Sequence, residues 1–306
     1  MQAADSAFPI PDAGLKDPAI VLLDNGSSRA DSTLALRRLA AALAGRIGKP
    51  VHPVSLLHAN KVPAERLDGR SADTFEPFLR ARAAAGDRAF LVLPLFFGHS
   101  GALTGFIPDK VAEIGAELGP LDVRIADVLC PLPDGEPRLA EILRDNLRQS
   151  AGAAGITPRR VILVDHGSPL PQVTAVRRHL AGRLRAILGT EPTLEEAVME
   201  RRPGAAYDFN GDLLEDVLRR AAAETPQQAV MLSLLFLSAG RHAGPGGDID
   251  QICAGVTADF PGLRVLRTGL VGSHPLLLDI LGSRYEAAMQ DRPVSGKPVD
   301  HDPAAT

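Results

Sequence analysis

Three short segments of the sequence carry side chains able to hold a metal ion or move a proton: Asp165-His166-Gly167-Ser168, Met199-Glu200-Arg201-Arg202 and Ser238-Ala239-Gly240-Arg241-His242. Two imidazoles and a carboxylate, brought together, form a nitrogen and oxygen site suited to first-row divalent ions such as Fe2+, Co2+ or Ni2+. Three ligands leave coordination positions open, which fits an ion that is processed or passed on; a structural zinc would be closed by four. Taken singly, each segment has a plainer reading. A strand-end histidine often packs or caps, Gly167 and Ser168 serve a turn and a helix cap, and Glu200 is a solvated charge. The run GPGGD at 244–248 lacks the Lys-Ser/Thr ending of a phosphate cradle and reads as a loop.

The chain repeats itself, and that changes the weighing. Residues 20–59 align with residues 161–200 without a gap, and ten positions are identical, among them Asp24/Asp165, Gly26/Gly167, Ser27/Ser168 and Leu43/Leu184. Looser matches follow at 91–97 with 230–237 and at 137–143 with 275–281. A fixed internal period means two copies of one unit. At the positions of His166 and Glu200 the first copy has Asn25 and Ala59, and at that of His242, after a two-residue gap, Leu103. The three reactive side chains are lost together while the turn around them persists, as expected of a shared function in the second copy. His58 and His99 lie near the corresponding first-copy loops, displaced in register, and make a weaker second-site candidate.

The elements that position these segments alternate. In the second copy, strands are predicted at 161–165, near 196–199, at 230–237 and near 263–269, and helices at 173–188, 213–223, 248–259 and 275–289. Alternation of this kind implies a parallel sheet with helices on both faces, and right-handed crossovers place every strand-to-helix loop on one edge. All three reactive segments fall on that edge, where such sheets bind their ligands. Copies are expected at 17–150 and 151–290, followed by a polar, proline-containing tail at 291–306.

Composition excludes several classes. A chain of 306 residues with 45% hydrophobic and 23% charged side chains buries real cores. With 33 Lys and Arg against 37 Asp and Glu it carries a net charge of −4 and no basic block, so nucleic acid is a poor partner. Two cysteines outside any CxxC pair, Cys130 and Cys253, fit a reducing cytoplasm. No apolar run approaches the ~20 residues of a membrane helix, and the first residues carry no basic n-region or apolar h-region, so a secretory signal is not expected. Asp165 before His166 would repel a phosphoryl group, no GxSxG elbow occurs, and neither copy has a GxGxxG nucleotide fingerprint.

VILVDHGSPL, VMERR, LLFLSAGRHAGPGGDI and LVGSHPLLLDILGSRYEAA, in that order, resemble the sirohydrochlorin chelatases of the CbiX/SirB type, and the resemblance covers roughly residues 17–290. It implies two tandem α/β chelatase lobes, each a four-stranded parallel sheet flanked by helices, facing across a cleft. Two histidines and a glutamate, here His166, Glu200 and His242, would bind Co2+ or Fe2+ as substrate. The tetrapyrrole sirohydrochlorin would receive it without a nucleotide, in cobalamin or sirohaem synthesis. The tetrapyrrole's carboxylates would meet Arg201, Arg202 and Arg241, with Ser168 and Ser238 hydrogen-bonding a propionate or orienting the imidazoles. Arg201 and Arg202 could equally pair with Asp208 or Glu195, and His274 reads as a turn or cap. A ferrochelatase of another porphyrin, or a non-catalytic carrier, are the alternatives. Two fused lobes favour a monomer.

Overall fold

The computed structural model describes residues 17–227 and 229–290. The tail at 291–306 and residues 1–16 lie outside them. Two parallel sheets are present. The first has the order β3-β2-β1-β4-β5, from β1 (Ala19–Asp24), β2 (Val51–Ser55), β3 (Asp73–Thr74), β4 (Ala89–Pro94) and β5 (Asp122–Ile125). The second has the order β7-β6-β8-β9, from β6 (Arg160–Asp165), β7 (Thr193–Val198), β8 (Ala229–Leu234) and β9 (Arg264–Arg267). Four strands were expected in each. The first sheet has a fifth because the segment after β2 returns to pair Asp73 and Thr74 beside Val54 and Ser55.

The central strands, AIVLLD and RVILVD, are apolar through their interiors, as parallel strands covered on both faces must be. Between them run the helices α1 (Ala30–Ile47), α2 (Phe75–Ala84), α3 (Ile107–Leu118), α4 (Pro137–Ala154), α5 (Pro171–Leu188), α6 (Leu214–Glu224), α7 (Asp248–Asp259) and α8 (Pro275–Gln290). β8 ends at Leu234, three residues before the apolar run does, so Leu235–Leu237 leave the sheet and carry the following loop outward. In each sheet the chain leaves its first strand to one side and later returns on the other. The switch points therefore lie between β1 and β4 and between β6 and β8.

The terminal helices of the two copies are exchanged. α4, the last helix of the first copy, packs against β8 and α5, while α8, the last of the second, packs against β4 and α1. One hydrophobic core accordingly runs through both lobes, joining Leu36, Leu43 and Leu93 with Leu139, Leu143, Leu163, Leu180 and Leu281. Polar contacts follow the exchange: Arg284 donates to the Val128 and Leu129 carbonyls, and Asn146 Nδ2 donates to the Gly269 carbonyl.

Candidate functional site

His166 is the first residue after β6, Glu200 follows β7 by two residues, and His242 lies in the loop after β8. The two histidines thus flank the switch point of the second sheet. Gly167 makes this arrangement possible. It sits at φ 93, and a Cβ there would overlap the Glu200 carbonyl oxygen, which passes directly against it. Gly26 stands in the same relation to the Leu57 carbonyl, at φ 82. The identity of these two glycines between the copies is therefore a backbone requirement.

The reactive side chains form a line. His166 Nε2 is 3.2 Å from Glu200 Oε1, and its ring lies edge-on to that of His242, centroids 4.5 Å apart at 71°. His242 Nδ1 is in turn 2.6 Å from Asp248 Oδ2, at the start of α7. Carbonyls and carboxylates only accept, so Nδ1 carries the hydrogen in both rings: His242 donates to Asp248, and His166 donates to the Gly167 carbonyl at 3.0 Å. Each Nε2 then presents a lone pair. In His166 that nitrogen faces the Glu200 oxygen, an arrangement that a shared proton or a metal ion would stabilise. Among the described residues no three His, Cys, Asp or Glu side chains are arranged around one common point. Glu200, with 63% of its side chain exposed, is the most exposed member of the line.

Behind His166 lies a buried ionic network that the sequence reading did not anticipate. Arg177, 2% exposed, donates to Asp165 at 2.8 Å, to the Asn210 carbonyl at 2.6 Å and to Glu196 at 3.3 Å. Burial pushes the Asp165 carboxyl up, and the Arg177 cation opposes that shift. Asn210 completes the support: it accepts from Ser168 N and the Thr174 hydroxyl and donates to the Ser168 carbonyl. The corresponding first-copy residues are Leu36 and Ser55 in place of Arg177 and Glu196, so Asp24 lies among them without a cation. Its Oδ1 is buried with no hydrogen-bond partner, and burial raises its pKa to about 6. Comparing Leu36 with Arg177 in the repeat would have found this difference.

A cavity of about 840 Å³ opens between the lobes, within the range of small-molecule sites. His166, His242, Arg241 and Ser238 line it from the second lobe; Asn25, Ser27, His58 and Lys61 line it from the first. Ser238 Oγ meets Ser32 Oγ at 3.1 Å, across the lobe boundary. Glu200 and Ser168 stand outside this lining. Ser168 Oγ accepts from Leu170 N, as Ser27 Oγ does from Arg29 N, and both close the turn into a helix. Arg201 pairs with Asp208 at 3.1 Å and Arg202 stacks over Tyr207, while Glu195 is taken by Arg160 and Arg220. Arg241 lies 3.6 Å from Asp248 and faces the cavity. His274 precedes α8 and accepts from Leu276 N, as a cap. In the first lobe Leu103 is buried in the core, Ala59 is wholly buried, and His99 pairs with Asp127 at 3.7 Å, away from the cavity lining. Both thiols are pushed up by burial, Cys253 to about 11, and neither is a nucleophile at neutral pH.

Residues 160–288 match the model of the CbiX family. Among solved structures, SirB from Bacillus subtilis with Fe3+ superposes with a TM-score of 0.63 at 14% identity, covering 90% of this chain and 96% of that one. The sirohydrochlorin chelatase SirB from Bacillus subtilis subspecies spizizenii, in complex with cobalt, gives 0.58 at 16% identity, over 90% and 96%. CbiX, described as the terminal enzyme for biosynthesis of siroheme in denitrifying bacteria, gives 0.55 at 17% identity, over 88% and 99%. No curated protein matches the sequence. The fold is that of the chelatases, across both lobes. No helix among the described residues is long and apolar enough to cross a membrane.

Proposed function

With a second lobe that matches the CbiX family, we propose that this chain is a metal chelatase inserting Co2+ or Fe2+ into sirohydrochlorin, with His166, Glu200 and His242 as its metal-handling residues. The product feeds cobalamin or sirohaem synthesis according to the ion loaded. The observation that carries the reading is the pairing of His166 Nε2 with Glu200 Oε1 at 3.2 Å, two lone-pair donors that a divalent ion would bridge, beside a second imidazole in contact.

The chemistry follows from charge balance. Insertion exchanges one M2+ for two pyrrole N–H protons, so the site must deliver a cation and accept protons. Neutral imidazoles suit both tasks: they hold a borderline divalent ion weakly enough to release it, and once released its lone pair is free for a proton. His166 takes one proton as the ion leaves, and Glu200, exposed and adjacent, takes the second and passes it to water. Asp248 holds the His242 ring in one orientation through Nδ1, leaving Nε2 for the ion. The macrocycle enters the cavity with one face toward the two rings.

Purified protein incubated with sirohydrochlorin and Co2+ or Fe2+, followed by absorbance, tests this. Metallation faster than in buffer, lost in His166→Ala and His242→Ala, is the expected result. Unaltered rates in both variants would reject the site; tetrapyrrole binding without metallation would make the protein a carrier, and metallation of another porphyrin alone would make it a ferrochelatase.

A further inference from the structure

The chain is acidic as a whole, with a net charge of −4, but the cavity is not. Among the described lining residues two cations, Lys61 and Arg241, stand against a single acid, Asp24, one of whose oxygens is turned into the protein. A cavity of opposite sign to its protein selects anions by focusing the field between low-dielectric walls.

Each lobe contributes one of them, Lys61 from the first and Arg241 from the second, whereas the sequence implied three arginines of the second lobe. The loop after β7 holds Arg201 and Arg202, and both are engaged, on Asp208 and on the Tyr207 ring. The corresponding loop after β2 forms a short 3-10 turn, Ala59–Lys61, in which Lys61 stands where the second copy has Arg202. Lys61 is exposed, lines the cavity, and its Nζ makes no hydrogen bond or ion pair with any described residue. A surface lysine that answers no carboxylate of its own protein is available to one on a ligand.

The residue that begins this turn adds a second, independent observation. His58 holds φ 67 with a full side chain, a backbone conformation that glycine adopts freely and other residues pay about 1–2 kcal/mol to enter. Nothing in the fold requires a histidine there: its ring forms no hydrogen bond or ion pair with any described residue, and it too lines the cavity. Strain of this kind, kept at a cavity wall, marks a position where the side chain matters.

We propose that Lys61 and His58 of the first lobe bind the peripheral carboxylates of the tetrapyrrole, so that the lobe lacking the metal-handling residues is the lobe that holds the substrate. Arg241 meets the carboxylates of the opposite edge, and the apolar floor of Leu36, Leu39 and Phe97 supports the ring face. The division explains why a degenerate copy keeps a polar loop at the cavity. It rests on the chelatase reading, and deepens it by assigning substrate specificity to residues outside the His/Glu set of the second lobe.

The test is metal-free sirohydrochlorin titrated into the full chain, read by absorbance, with Co2+ binding measured separately. Lys61→Ala should weaken tetrapyrrole binding about fivefold to tenfold and Lys61→Glu further, with Lys61→Arg restoring most of it. His58→Gly should weaken binding while raising the unfolding midpoint, a combination that a merely structural residue would not give. In turnover the loss should fall on KM rather than kcat. Raising the salt concentration should weaken the wild type more than Lys61→Ala, since the lost contact is the screened one. Protoporphyrin, with far fewer carboxylates, should respond less to either substitution. Co2+ binding should match the wild type in all three Lys61 variants. Sirohydrochlorin bound equally by wild type, Lys61→Ala and Lys61→Glu would overturn the assignment and leave the chelatase reading standing. A wild type that binds no sirohydrochlorin would overturn both.

Discussion

Arg177 donates to Asp165 at 2.8 Å in a pair that is almost wholly buried, directly behind the histidine that Asp165 precedes. Replacing Arg177 by Leu, the residue the first copy carries, leaves Asp165 and Glu196 without their cation. Breaking a buried pair from one side costs about 3–5 kcal/mol, so Arg177→Leu should show that loss in chemical denaturation. Asn210 also loses the donor to its carbonyl, and the turn at Gly167 and Ser168 should loosen.

Asp24 gives the complementary experiment. Desolvation raises its pKa from 3.8 to about 6 in the folded chain, so its contribution is most favourable below pH 3.8 and is lost as pH rises through about 6. A shift of this size costs at most about 3 kcal/mol above the folded value. Asp24→Asn should therefore be more stable than the wild type near pH 8, and the gain should vanish under acid conditions. Urea midpoints at the two pH values would show it; an equal gain at both would locate the effect elsewhere.

Gly167→Ala places a Cβ against the Glu200 carbonyl at a backbone angle alanine avoids. It should cost about 1–3 kcal/mol and weaken Co2+ binding by displacing the loop that carries Glu200. Gly26→Ala should cost similar stability through the Leu57 carbonyl, with a much smaller effect on Co2+.

Asp248→Asn removes the carboxylate that orients His242, keeping its size. Outer partners of a ligating histidine typically contribute a factor of 10–100, and a loss of that order is expected in Co2+ affinity by titration.

The exchange of α4 and α8 predicts that residues 151–290 do not fold alone. β8 would lose the helix that covers it, and α8 would lose β4 and α1. Circular dichroism with near-ultraviolet signals should show helix without fixed packing, recovered when residues 17–150 are added. A cooperative unfolding transition of the isolated segment would refute this.

Much of the architecture was legible because parallel strands and amphipathic helices announce themselves by local pattern. The helix foreseen at 248–259 is α7 to the residue, and α5 begins only two residues before the foreseen start, at the proline that sets its first turn. β3 left no signal, since two residues carry no period, and it forms only because the chain happens to return beside β2. His166, Glu200 and His242 stand out as a set because the first copy lacks all three, a comparison made entirely within the chain; the structure sets His166 against Glu200 and against His242. Arg201 and Arg202 illustrate the limit: adjacency to Glu200 says nothing of direction, and Asp208 and Tyr207 claim them.

The sequence by itself determined the duplication, the α/β alternation and the edge on which the reactive loops lie, because each is written in spacing along the chain. Only the tertiary structure decided which helix covers which sheet, which cations face the cavity, and that Asp24 has lost the partner its counterpart keeps. Those outcomes depend on contacts between residues far apart in the chain, where burial and the competition of nearby charges, rather than local pattern, set the energy.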